Sequence, residues 1–170
     1  MSMQEDLFLE KVLDSFAGYY DIEKVEESSN YLYATAAFHQ TIDKYVLFKN
    51  AKLWEVQAHD YVYFFNVPSF NSDIYEDCLR YAHEEGMKRI APDKNHMYSY
   101  ITLVIICDQA ENKESVRKLR RCRIHKDFKL SFHGWMDVRT VIVNKGKQTV
   151  QTNHMGKDLI KLFQKILQSN

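Results

Sequence analysis

A short polar cluster on a predicted β-hairpin is the first group of side chains in this sequence that has chemical potential. Asp43 lies just before an apolar strand. The next strand, after the turn at Asn50–Lys52, carries Glu55, Gln57 and His59 at alternating positions, so these three share one strand face. Carboxylate oxygens are ligands that Mg²⁺ accepts. The spacing predicts either a metal site of Asp43 and Glu55 or the solvated face of a half-exposed sheet.

The order of elements around this cluster resembles that of the PD-(D/E)xK nuclease superfamily. Between Glu5 and Cys107 the sequence predicts a helix, three strands, a helix and a strand, with Asp43 just before one strand and Glu55 and Gln57 on the next. The resemblance implies that Asp43 and Glu55 bind Mg²⁺ and that nucleic acid is the substrate. Gln57 then stands in the place of the usual lysine. Glu10 would correspond to an accessory acid on the first helix.

The sequence departs from that superfamily's pattern at two positions. Ile42 precedes Asp43 where the pattern has proline, and Gln57 replaces lysine. Lysine there helps to orient or activate the attacking water, whereas an amide neither acts as a base nor supplies positive charge. If this correspondence holds, we expect weak catalysis or none from the candidate residues Asp43, Glu55 and Gln57.

The strongest charge cluster lies between positions 117 and 126, where no acidic residue occurs. An aromatic-rich segment follows it, from Phe128 to Trp135. Cations beside aromatic rings are typical of surfaces that hold phosphate groups and stack bases. Alternatively, these cations lie at the end of a predicted helix, where its dipole favours positive charge. The candidate ligand-binding residues of this cluster are Arg117, Arg120, Arg121 and Arg123.

The long strand that carries Glu55 becomes aromatic towards its end. Tyr61, Tyr63 and Phe65 share the face of Glu55 and Gln57, opposite a face of apolar residues that is expected to be the core. We therefore expect Tyr61 and Tyr63 to be exposed and to line a ligand groove or a protein interface. In a homodimer, the same surface would form the contact between the two subunits.

Several elements must position these groups, and they predict the fold class. The order is helix, three strands, helix, strand, helix, three strands and helix, with Asn153 as the cap of the last helix. The continuous apolar run Ile101–Cys107 predicts a strand buried on both faces at the centre of the sheet. These patterns predict one α+β domain over residues 1–170, with a largely antiparallel sheet of about seven strands and four helices.

Amino-acid composition restricts the classes of function that this protein can have. The 170 residues carry 23 basic and 23 acidic side chains, so no overall field attracts a polyanion. Three widely spaced cysteines indicate reduced, mostly buried thiols in a cytoplasmic protein. No apolar run is long enough to span a bilayer, and no membrane partner is expected. We expect a soluble, non-catalytic binding or protein-interaction domain without a cofactor. The alternative is a metal-dependent nuclease or phosphodiesterase that uses Mg²⁺ and binds nucleic acid.

Overall fold

The computed structural model describes residues 6–45, 52–108 and 112–169, and for 41–45 and 52–55 it describes the backbone alone. Its helices are α1 (Leu7–Ala17), α2 (Ser72–Arg89), α3 (Lys113–Arg121) and α4 (Ile160–Gln168), the last preceded by a 3-10 helix at His154–Leu159. Its strands are β1 (Asp21–Lys24), β2 (Leu32–Tyr45), β3 (Lys52–Val67), β4 (His96–Cys107), β5 (His125–Asp127), β6 (Trp135–Asn144) and β7 (Thr149–Thr152). Within the described ranges, none of the helices combines the length and apolarity needed to cross a bilayer.

The strands form one mixed sheet in the order β1-β2-β3-β4-β6, and the far edge of β6 is shared by β5 and β7. Neighbours are antiparallel at both sides of the sheet, but β3, β4 and β6 run parallel to one another. The α+β class is confirmed, whereas the prediction of a largely antiparallel sheet is wrong. The reason is the connections: α2 and α3 each return the chain to the starting end of the sheet, and such crossovers produce parallel neighbours.

Strand β4 lies at the centre of this sheet, as its apolar sequence predicted. Leu103 and Ile105 pack on one face and Val104 and Ile106 on the other, each fully buried. Helices α1 and α4 cover the face of Val104, while α2 and α3 cover the face of Leu103. Because both faces are covered, the central strands are apolar without alternation.

The aromatic end of β3 is buried rather than exposed. Tyr61 and Tyr63 are 4% and 2% exposed and belong to the core beneath α2. The Tyr61 hydroxyl donates to the Arg89 carbonyl at 3.2 Å, and the ring of Tyr63 meets that of Tyr81 edge-on. The prediction of an exposed ligand groove lined by Tyr61 and Tyr63 is therefore wrong. The alternation of residues along β3 placed both tyrosines on the face opposite the expected core, but helix α2 covers that face as well.

Two predicted strands differ from the structure. Strand β2 runs from Leu32 to Tyr45, well beyond the predicted strand Tyr31–Phe38. The second predicted strand, Tyr45–Phe48, lies outside the described residues after Tyr45. The segment Phe128–Phe132, in which apolar and polar residues alternate in a pattern that predicts a strand, is a turn. Lys129, Leu130 and Ser131 have φ values of 48°, 54° and 68°, a left-handed conformation that no strand adopts. The strand in this region is β5, which ends at Asp127.

The three cysteines are buried and form no disulfide bond, as predicted. Cys78 and Cys122 lie in the core under α2 and α3, and Cys107 ends the central strand. Burial raises the pKa of the Cys78 thiol to about 12, so this group stays protonated and unreactive near neutral pH.

Candidate functional site

The two acids of the predicted metal site lie directly opposite each other in the sheet. Strands β2 and β3 pair Asp43 with Glu55 and Thr41 with Gln57. Opposed residues of antiparallel strands have Cα atoms about 4.5–5.5 Å apart. The side chains of Asp43 and Glu55 lie outside the described part of the chain, so their role as Mg²⁺ ligands stays a prediction.

Glu10 does not join that cluster. Its carboxylate accepts hydrogen bonds from Lys24 Nζ at 2.7 Å and Tyr33 Oη at 2.6 Å, which lower its pKa, Lys24 foremost. Glu10 lies on α1, over the face of Val62 and Phe64. Gln57 lies on the other face, in phase with Tyr61. The sheet separates Glu10 from Gln57, which corrects the expectation that Glu10 supplies an accessory acid.

Two histidines meet beside the same hairpin. The Nδ1 atoms of His39 and His59 are 2.7 Å apart, and the His59 ring stacks on that of His96. Burial, followed by repulsion from His39 and His96, lowers the pKa of His59. Over the described ranges, no three His, Cys, Asp or Glu side chains are arranged to hold a metal ion.

A basic groove runs along α3 on the opposite side of the molecule. It consists of two adjoining cavities of about 440 and 390 Å³ that share Arg117 and Arg120. Three further elements contribute to its walls: the turn after β6, strand β7 and the 3-10 helix. The basic groove is lined by Lys113, Val116, Arg117, Arg120, Arg121, Lys147, Gln151, Thr152, Asn153, His154 and Lys157.

Local sequence explains why α3 presents its cations to this groove. Asn112 caps the helix by accepting from the backbone N–H groups of Glu114 and Ser115. Val116 and Leu119 are buried against the sheet, so the helical period turns the arginines outwards. Lys118 is the exception among the cations, because it points to α2 and pairs with Glu76 at 2.8 Å.

The groove gathers positive side chains on a concave surface. Its two cavities hold six Lys and Arg side chains, and no carboxylate of the described residues lines either one. Arg117, Arg120 and Arg121 are exposed and form no ion pair with any described residue. A chain with no net charge therefore carries a local surface of one sign.

The buried side chain of Asn153 holds the groove together. Its Oδ1 accepts from the N–H groups of Thr140 and Gly156, at 3.1 and 3.0 Å. Its Nδ2 donates to the carbonyls of Cys122 and Val138, at 3.1 and 2.9 Å. These four bonds join the end of α3, the edge of β6 and the 3-10 helix. Asn153 caps the 3-10 helix that leads into α4 and not, as predicted, the last helix itself, whose N-cap is Leu159. Its links to α3 and β6 could not be predicted from the sequence.

A third cavity, the apolar pocket, adjoins the groove at His154. It measures about 340 Å³ and is lined by Cys122, Arg123, Ile124, His125, Asp137, His154 and Met155. Arg123 thus lies in this pocket and not beside the other three candidate arginines. His125 Nδ1 donates to Asp137 Oδ1 at 2.8 Å, and this bond is the main cause that raises the pKa of His125.

A buried ion pair lies within the sheet and extends to the 3-10 helix. Arg139 binds Asp60 within the sheet and reaches Asp158 at 3.0 Å. Tyr20 and Thr102 each donate to Asp60 at 2.7 Å. The sequence spacing does not relate these residues, because they come from three strands, the 3-10 helix and the turn between α1 and β1. The Asp60 carboxylate and the Arg139 guanidinium bind each other, so this cluster stabilises the fold.

Comparisons with known proteins give a family and no function. No curated protein and no solved structure is significantly similar to the chain. The profile of a domain of unknown function, DUF8052, matches residues 4–165. Since this match covers nearly the whole chain, the protein belongs to the DUF8052 family.

Proposed function

We propose that this protein is a non-catalytic binding domain whose basic groove takes a phosphate-bearing ligand. One observation carries the proposal: six Lys and Arg side chains line adjoining cavities that contain no described carboxylate. Cations collected in a concave surface attract anions, and arginine matches the geometry of phosphate oxygens with two parallel hydrogen bonds.

The helix dipole does not account for this arrangement. It favours cations in the last turn of α3, where Arg120 and Arg121 lie. Lys147 and Lys157 belong to other elements and nevertheless converge on the same groove. Along α3, Lys113 and Arg117 are four residues apart, about 6 Å of helix rise. That spacing presents successive cations to a ligand with more than one anionic group.

The test is charge reversal in the groove. The double variant Arg117→Glu/Arg120→Glu is compared with Lys161→Glu/Lys165→Glu, which makes the same charge change at exposed positions on α4. Binding of tripolyphosphate is measured by titration calorimetry at two ionic strengths. We expect the groove variant to bind more than about tenfold more weakly, the control to bind as the parent protein does, and added salt to weaken binding. Absence of tripolyphosphate binding, or equal losses in both variants, contradicts the proposal.

A second candidate function, the metal-dependent phosphodiesterase, rests on the register that pairs Asp43 with Glu55. The two strands involved lie away from the groove, with β4 and β6 between them and β7. A metal bound by Asp43 and Glu55 would therefore act on a substrate held by a different surface from the basic groove. Thermal unfolding with and without Mg²⁺ tests it, because an ion that binds only the native state raises stability. A Mg²⁺ effect that Asp43→Asn leaves unchanged contradicts it.

A cytoplasmic location and a homodimer complete the proposal. The location is supported by three buried cysteines that form no disulfide bond, which suits a reducing compartment. The homodimer is tested by size-exclusion chromatography with light scattering. A monomer at high protein concentration refutes it.

A further inference from the structure

We infer that the basic groove and the apolar pocket together bind a nucleotide, with its phosphates in the groove and its base in the pocket. This inference rests on the proposed function, since it assumes that the groove binds phosphate. It adds the apolar pocket as a second recognition element, because an inorganic phosphate chain has no group that would occupy that pocket.

The first cavity of the groove and the apolar pocket share one wall residue. His154 lines both, and the chain passes from Arg121 in the groove to Cys122 and Arg123 in the pocket. Their volumes, about 440 and 340 Å³, each lie in the range of small-molecule sites. A single ligand with an anionic end and a less polar end therefore fits across His154.

The chemistry of the apolar pocket matches a nucleobase. Ile124 and Met155 provide apolar contact, and the imidazoles of His125 and His154 provide planar faces on which a base can stack. Asp137 supplies a hydrogen-bond acceptor that is 12% exposed and has, among the described residues, His125 as its side-chain partner. A carboxylate in that setting accepts an N–H from a base, whereas it would repel a phosphate.

The groove extends beyond the first cavity to Lys113 and Lys147. The groove therefore has room for more than one phosphate group, and two kinds of ligand would supply them. Either the ligand is a free nucleoside polyphosphate, or it is one residue of a nucleic-acid strand whose backbone follows the groove. Both share the chemistry of a base joined to phosphates through a sugar, and the experiment below separates them.

The experiment measures three ligand classes with the full chain by titration calorimetry: tripolyphosphate, the four nucleoside triphosphates, and single-stranded oligonucleotides of about ten residues. We expect at least one base-containing ligand to bind tenfold or more tightly than tripolyphosphate. Met155→Trp fills the pocket and is expected to remove that advantage while tripolyphosphate binding stays the same. Arg117→Glu/Arg120→Glu is expected to weaken all three classes.

The outcomes distinguish the two proposals. If tripolyphosphate binds as tightly as every nucleotide and oligonucleotide, the nucleotide inference is overturned and the groove proposal stands. If nothing binds, both fail. Tighter binding of oligonucleotides than of free nucleotides identifies a strand as the source. Should Met155→Trp not fold, Asp137→Asn serves instead: an altered ranking of the four bases supports the inference, and an unchanged ranking overturns it.

Discussion

Replacing Asn153 with aspartate exchanges an amide for a carboxylate of the same shape at the point where three elements meet. Asn153 is fully buried and uses both ends of its amide. The oxygen still accepts in the variant, but the group that donated to the carbonyls of Cys122 and Val138 becomes an acceptor. Asn153→Asp therefore places negative charge against two carbonyl oxygens.

The expected cost follows from those two contacts. A buried carbonyl that loses its partner costs about 1–3 kcal/mol, so two give about 2–6 kcal/mol. The new carboxylate is also buried, and burial raises its pKa above the value in the unfolded chain. A raised native pKa contributes stability at low pH that is lost as the pH rises through it. The variant is therefore expected to be least stable, relative to the parent, at neutral and higher pH.

Urea denaturation at pH 5 and pH 8 measures both effects. The matched control is Asn112→Asp, because among the described residues the Asn112 side chain only accepts hydrogen bonds, from the N–H groups of Glu114 and Ser115 at the start of α3. A carboxylate at a helix N-terminus keeps those bonds and suits the dipole, so we expect little change or a slight gain. A loss below about 0.5 kcal/mol for Asn153→Asp, which is the range of an ordinary surface substitution, would refute the reasoning, as would a loss independent of pH.

Two further predictions concern buried and paired charges. Arg139→Gln leaves Asp60 as a buried carboxylate without its cation, and breaking such a pair costs about 3–5 kcal/mol, measurable by urea denaturation. A loss within about 1 kcal/mol, the value of an exposed pair, would show that the pair is not effectively buried. For His125, hydrogen bonds to Asp137 and then Asp127 raise the pKa, so its stabilising effect is present at low pH and disappears as the pH rises through the native value. Asp137→Asn is expected to lower the His125 pKa, followed by NMR titration, and an unchanged pKa would contradict the assigned hydrogen bond.

The sequence predicted the elements that carry strong periodicity or long apolar runs. Helix α3 follows from Val116 and Leu119 with cations between them, and the central position of β4 follows from Ile101–Cys107. Alternation was a less reliable signal. It marked Tyr61 and Tyr63 as a second, open face, because a strand's own sequence does not record whether a distant helix covers it.

The sequence by itself thus determined local structure and the existence of a basic segment, since both depend on residues close together in the chain. Tertiary structure alone decided that Arg117, Lys147 and Lys157 share one groove, that Asn153 fastens it, and that His154 joins it to an apolar pocket. The physical reason is the topology. Two crossovers place β3, β4 and β6 in parallel, and that order brings α3, β7 and the 3-10 helix to one edge of the sheet.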